Sequence, residues 1–212
     1  MKKLLTAFAI MAASACISAA GNPMISFGIQ GTGGMTDVRH TSGDDKADWS
    51  QGYSYGGGIF FEKTFTGFFA FHTGIGYTHY LIKYDIPDFG RSSELKLDAL
   101  KVPVSFNLMF AVQNFSFVIP IGGAYVNILN ADQTDTLSTG TVTYDYLYSI
   151  NSNQFSAFSG LEIRMKTSSA VDFFIGAYGE YFITDLAGSG TSPSDDNLLN
   201  YYGKAGIIFR TF

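Results

Sequence analysis

The chain has 212 residues, of which only 15% are charged and 16% aromatic, with 24 glycines and a formal net charge of −5. A soluble domain has about a quarter charged residues, and glycine weakens helices, so the composition suits a sheet wall that meets lipid and suits a helical protein poorly. The acidic balance argues against nucleic acid as a partner, which needs a basic face.

Met1-Lys2-Lys3, the apolar run Leu4–Met11 and the small residues Ser18-Ala19-Ala20 read as a secretory signal cleaved after Ala20. The expected domains are a signal at 1–20 and a barrel over 21–212. The single cysteine, Cys16, falls within the signal, so the mature chain has no disulfide. A lipoprotein signal over Ala13-Ser14-Ala15-Cys16 is the rival reading, although Ala13 stands where such signals carry a larger aliphatic residue. After the signal no apolar run approaches the roughly 18–20 residues of a membrane helix, so a membrane reading requires strands.

Alternation at a period of two marks those strands in turn. Strand one covers Met24–Gly34 and is followed by a polar loop over Met35–Gln51. Strand two, Tyr53–Lys63, turns at Thr64–Gly67 into strand three, Phe68 to about Leu81. A second loop spans Lys83–Ser93, and strand four starts near Glu94. Its apolar phase moves from Leu95, Leu97 and Ala99 to Leu100 and Val102, which predicts a bulge near Asp98. Val102, Val104, Phe106, Leu108 and Phe110 then form one greasy face. Ala111–Asn114 turns the chain into strand five, which ends near Leu129 before a loop over Asn130–Gly140. Thr141–Ile150 alternates again and is read as an extension of strand six, Phe155–Lys166. Thr167–Ser169 is a tight turn, strand seven is Ala170–Thr184, Asp185–Asn197 is a loop, and strand eight is Leu198–Phe212.

Short and long connections therefore alternate. This predicts an all-β, eight-stranded, antiparallel up-and-down transmembrane barrel with short periplasmic turns, long extracellular loops and both termini on the periplasmic side. Phenylalanines gather at the turn ends (Phe65, Phe68, Phe69, Phe110, Phe115, Phe173, Phe174, Phe212) and tyrosines at the loop ends (Tyr53, Tyr55, Tyr77, Tyr80, Tyr125, Tyr181, Tyr201, Tyr202), as interfacial girdles do. The structural alternative is a secreted lipocalin-like barrel, which would turn its apolar face inward around a ligand.

Opposite the greasy face stand Glu62, Lys101, Glu162, Arg164, Asp172, Glu180 and Lys204. In a narrow lumen these can pair, and eight strands leave an interior that side chains just fill. The expectation is a structural plug; a gated ion path is the alternative. Arg164 and Asp172 are symmetric about the Thr167–Ser169 turn and are expected to pair. Lys101, Glu180 and Lys204 are expected to form a second cluster.

With those residues in view, the chain resembles the small outer-membrane barrels related to PorT, often labelled porin-like, and shares the architecture of OmpX and OmpA. The residues that carry the likeness are Leu100-Lys-Val-Pro-Val-Ser-Phe106, Gly122-Gly-Ala-Tyr-Val126 and Gly206-Ile-Ile-Phe-Arg-Thr-Phe212. The resemblance implies outer-membrane lipid and the barrel-assembly machinery as partners. It also implies a C-terminal assembly signal at Gly206, Phe209 and Phe212, with Lys204 also fitting; Phe212 is one residue out of phase if Thr211 is its last position.

Catalysis finds little support. His40 lies in a loop, and His72 and His79, seven apart, face opposite sides of one strand, so no metal site or base for a nucleophile is expected. Asp44-Asp45-x-x-Asp48 and Asp195-Asp196 lack the ligand spacing of an EF-hand. Gly31-Thr-Gly-Gly34 has no Lys-Ser/Thr after it and is no phosphate loop. No cofactor is expected. The sequence predicts a non-enzymatic surface or structural barrel whose loops bind an unknown extracellular ligand, ahead of a narrow small-solute pore and, third, a lipid-modifying enzyme.

Overall fold

A computed structural model of the chain describes residues 24–39, 48–66, 68–86, 91–137, 139–186 and 197–211. The strands are β1 (Met24–Arg39), β2 (Asp48–Thr66), β3 (Phe69–Ile86), β4 (Arg91–Val112), β5 (Phe115–Leu137), β6 (Gly140–Asp145), β7 (Asn153–Lys166), β8 (Val171–Phe182) and β9 (Asn197–Thr211). Each wall strand pairs antiparallel with its neighbour, and β1 pairs with β9, so β1-β2-β3-β4-β5-β7-β8-β9 closes into a ring. The chain is an eight-stranded antiparallel barrel. Closure leaves no wall strand with an open edge, whereas β6 pairs with β5 alone among the described residues.

The pleat sends alternate residues to opposite sides. On the turn half of the wall, Phe27, Ile59, Phe106, Phe117, Leu161, Ile175 and Phe209 are exposed on the outside. Ser26, Glu62, Ser105, Asn107, Glu162, Arg164 and Asp172 are buried within. That is the reverse of a lipocalin and the arrangement of a membrane wall. Tyr53, Tyr55, Tyr77, Tyr181 and Tyr201 stand exposed toward the loop side, while Phe68, Phe110 and Phe115 stand near the turns. Three residues assigned to the girdles from sequence are instead interior: Phe174 and Tyr80 are buried, and Tyr202 stacks on buried Tyr178 against the loop-side core.

Toward the loop side the pattern inverts. Tyr80, Ile82, Leu95, Leu97, Ala99, Val126, Ile128, Phe182 and Leu198 form one buried apolar cluster. Outward-facing Lys83, Glu94 and Lys96 pair with each other by charge there. An inside-apolar, outside-charged wall belongs in water, so the barrel continues beyond the lipid. This accounts for three differences from the sequence reading. Met35–Arg39, Lys83–Ile86, Arg91–Ser93 and Asn130–Leu137 are strand rather than loop, because polar residues on a water-facing wall read as loop. Within β4 the odd-numbered residues Leu95, Leu97 and Ala99 stay inside along with Ser105 and Asn107, so its apparent change of phase is a change of surroundings. The register shift does occur beside Asp98, but the extra residue lies on β5, where Asp98 faces Asn130 and Ala99 faces Ile128, leaving Leu129 over.

Thr141–Asp145 does not extend the strand that follows it. It folds back on β5 with Asp132 opposite Asp145 and Leu137 opposite Gly140. The wall is consequently uneven, with 22 and 23 residues in β4 and β5 but 12 in β8, so β3–β6 rise above the opposite rim. The β4–β5 turn narrows to Gln113-Asn114, with Val112 opposite Phe115 and Gln113 at φ 53°.

Candidate functional site: a filled lumen and an open edge

All seven charged residues assigned to the interior from sequence line it, and the ring of strands determines which of them meet. Nearest the turns, Asp172 of β8 accepts from Arg210 of β9, with Nε at 2.8 Å. The expected Arg164–Asp172 pair does not form. The true register sets Asp172 opposite Lys166 and Arg164 opposite Phe174, two residues away from the symmetric guess. Arg164 instead spans the lumen. Its Nη1 and Nη2 donate to Glu62 Oε1 and Oε2 at 2.5 and 2.8 Å, and its Nε donates to Glu162 at 2.5 Å. Asn107 adds a donor to Glu62 at 2.7 Å, and the Tyr178 hydroxyl donates to Glu162 at 2.5 Å. A bidentate guanidinium with its partner oxygens filled is the strongest form of such a pair.

One layer up, Lys204 lies 3.7 Å from Glu162 and 4.4 Å from the centre of the Tyr178 ring. Lys101 pairs with Glu180 at 2.6 Å, and Ser156 and Asn200 also donate to Glu180. The expected cluster of Lys101, Glu180 and Lys204 is therefore split: Lys101 and Glu180 meet, while Lys204 joins the Glu162 layer. Four acids (Glu62, Glu162, Asp172, Glu180) stand against four bases (Lys101, Arg164, Lys204, Arg210) in these contacts, so the charges balance within the lumen.

Above Lys101 the apolar cluster occupies the loop side of the lumen. Ile150, after β6, and Leu186, after β8, fold over it, tied by the Asn151 N–H to Leu186 carbonyl bond at 3.0 Å. A loop-side stopper was not foreseen, although its residues share inward parity with the charges below. The same parity would have found Arg210, six residues beyond Lys204. Of the residues assigned to an assembly signal, Phe209 faces outward and Gly206 packs close to Ile29 and Phe174; Phe212 lies outside the described residues, as do residues 1–20, His40, Asp44-Asp45 and Asp195-Asp196. His72 and His79 face opposite ways as expected. His72 is buried in the lumen; His79 sits on the outer wall, its Nδ1 2.8 Å from Asp98, which also accepts from Tyr77. Among the described residues no group of three or more metal-ligating side chains gathers.

The second feature is β6. All six of its residues are exposed, including Val142 and Tyr144. Its hairpin with β5 is braced by Asp135, which accepts from Arg91 at 2.5 Å, Tyr144 at 2.6 Å and Ser93 at 2.8 Å. Burial alone would raise the Asp135 carboxyl, but bonds from Tyr144, Gln133, Ser93 and Arg91 outweigh it and hold it down to about 2.

No family model matches the sequence, and no curated protein sequence matches it either. Among solved structures the chain is similar to Neisserial surface protein A, with TM-score 0.48, 11% identity, and coverage of 86% of this chain and 96% of that one. It is similar to the outer membrane protein OprG of Pseudomonas aeruginosa, with TM-score 0.47, 10% identity and 89% and 95% coverage. It is also similar to the outer membrane enzyme PagL, with TM-score 0.44, 14% identity and 84% and 97% coverage. At these identities and TM-scores the likeness says nothing of activity, and the fold rests on the strand pairing itself.

Proposed function

We propose that this chain is a closed, non-enzymatic surface barrel of the outer membrane, with its tight turns in the periplasm and its tall β3–β6 wall outside the cell. The observation that supports the reading is the way side chains occupy the lumen at two heights. Paired charges occupy the lower lumen, and the apolar cluster of Tyr80, Ile82, Leu95, Leu97, Phe182 and Leu198 stops the loop end. A solute path needs a continuous run of polar groups or space, which the apolar side chains of this cluster interrupt, and that favours the closed reading over the pore. Among the described residues, the element that offers itself to the surroundings is the β6 edge. An exposed strand that pairs on one side only among the described residues is a template for an extended segment of another polypeptide, whose main chain would supply the bonds and whose side chains would meet Val142. Tyr148, 96% exposed just beyond it, adds an aromatic contact. The PorT-like segments Leu100–Phe106 and Gly122–Val126 fit membership of that group and belong to the same reading.

Two measurements test it. The purified barrel in a planar bilayer is expected to be electrically silent; regular conductance steps would favour the pore. A photo-crosslinker at Val142 or Tyr148 on intact cells is expected to capture an external polypeptide, while one at Ile175, on the lipid-facing wall, is not. Equal capture at both would sink the edge as the binding surface.

A further inference from the structure

The open side of β6 presents a defined set of main-chain groups. The Tyr146 N–H donates to the Ala131 carbonyl at 2.7 Å. By the alternation of an antiparallel ladder, Tyr144, Val142 and Gly140 therefore turn their N–H and C=O to β5, and Thr141, Thr143 and Asp145 turn theirs away from it. Among the described residues β6 pairs with β5 alone. Proteins usually blunt such an edge with lysine, proline or a bulge. Gly140–Asp145 has no lysine and no proline, its register with β5 runs without a shift, and its single charge, Asp145, stands at one end.

We propose that the partner of this edge is a second, inverted copy of the chain, held by antiparallel pairing of β6 with β6; the inference rests on the reading of β6 as the binding surface. With Thr143 on the two-fold axis, Thr143 faces its own copy, Thr141 faces Asp145, and Val142 faces Tyr144. Each pair that turns its main chain outward exchanges two N–H to C=O bonds. The Thr141 hydroxyl is a donor set opposite the Asp145 carboxylate, whose Oδ1 already accepts from the Leu147 N–H at 2.9 Å. Val142 beside Tyr144 is a β-branched and aromatic pair of the kind that favours a sheet. No like charges meet, and along Gly140–Tyr144 no charge selects a partner of another kind.

Geometry then sets where the second copy stands. The two-fold axis of an antiparallel pair runs perpendicular to the sheet. β6 extends the sheet of the wall strand β5, so that axis points radially, at right angles to the barrel axis whatever the strand tilt. A half-turn about it stands the second barrel upside down. Barrels in one membrane share an orientation, so this pairing joins barrels in two facing membranes. The six residues of β6 bury far less than the roughly 1,600 Å² of a stable interface, so a single pair is weak. Many pairs across one membrane contact add up, because each raises the effective concentration of the next. The chain is expected to be monomeric in dilute detergent and adhesive between membranes.

Vesicles carrying the full barrel, with a label at Tyr148 showing that β6 faces outward, test it by turbidity and electron cryo-microscopy. Parent vesicles are expected to cluster. Along β5 from Tyr125 to Thr134, which lies opposite Thr143, the rise is roughly 20 Å at ~3.3 Å per residue and a tilt of about 40°, so facing bilayers should stand roughly 40 Å apart. Thr143→Pro removes an N–H from the open side and none from the β5 ladder, and is expected to abolish clustering. Thr143→Lys and Thr143→Glu each set like charges on the axis. Vesicles of either variant alone are expected to stay dispersed, and a mixture of the two is expected to cluster. Clustering that survives Thr143→Pro, or a mixture that stays dispersed, would overturn the pairing. Parent vesicles that stay dispersed would overturn it as well. If the crosslinker at Val142 still captures a different external protein on cells, the edge keeps its role with another partner; equal capture at Ile175 would sink that underlying reading instead.

Discussion

Arg164 and Glu62 meet as a bidentate pair across the full width of the barrel, from strands that lie four places apart around the ring in either direction. Neither strand is hydrogen-bonded to the other, so the pair ties opposite walls together through the lumen. Glu62→Ala leaves a buried guanidinium with Glu162 alone, and is expected to destabilise the barrel by about 3–5 kcal/mol in urea unfolding from lipid vesicles. Glu62→Met combined with Arg164→Met is expected to be milder than Glu62→Ala, since no buried cation is then left exposed to loss. A double variant worse than the single one would show that the pair is not the source of the effect.

The partner of Asp172 is Arg210, not Arg164. A double-mutant cycle between Asp172→Asn and Arg210→Gln is expected to give a coupling of about 0.5–3 kcal/mol, and one between Asp172→Asn and Arg164→Gln a much smaller one. The reverse ranking would restore the pairing guessed from turn symmetry.

Acid should loosen the raised edge before it touches the membrane wall. The Asp135 carboxyl, held at about 2 against an ordinary 3.8, adds stability in full above pH about 4. That contribution is lost as pH falls through about 2, and its total is roughly 2 kcal/mol. Amide exchange in β6 should therefore quicken between pH 4 and 2 relative to β8. Asp135→Asn should flatten that dependence; an equally steep profile in the variant would assign it elsewhere.

Removing the stopper should turn a silent barrel into a leaky one. Tyr80→Ala with Leu97→Ala deletes two fully buried side chains from the loop-side cluster. Each truncation is expected to be destabilising by about 2–5 kcal/mol, and small currents should appear in bilayers where the parent shows none. A stable double variant that remains silent would place the seal in the charged layers instead.

Two glycines near each other on the β1–β9 side should respond in opposite ways. A Cβ at Gly206 would overlap the Ile29 carbonyl oxygen and press on the Phe174 ring, whereas one at Gly33 meets nothing within 4 Å. Gly206→Ala is expected to lower the yield of folded barrel severely, and Gly33→Ala to leave it unchanged. Because Gly206 also lies in the assembly signal implied by resemblance, refolding from urea into lipid without assembly factors separates the causes. Normal refolding there would point to the signal and away from the clash.

Period-two alternation by itself determined the barrel, its strand order and the side on which Glu62, Lys101, Glu162, Arg164, Asp172, Glu180 and Lys204 lie, because a pleated strand admits only two faces and lipid tolerates only one kind. Tertiary structure decided who meets whom. Arg164 reaches Glu62 only because closure brings β2 opposite β7, and Asp172 turns to Arg210 because the β7–β8 register differs by two residues from the symmetric one. Leu95 and Leu97 looked like a slipped face until the wall was seen to pass from lipid into water, where the same pleat buries the opposite kind of residue. A sequence records the alternation; which solvent each height of the wall meets, and which strands the ring makes opposite, are properties of the closed barrel.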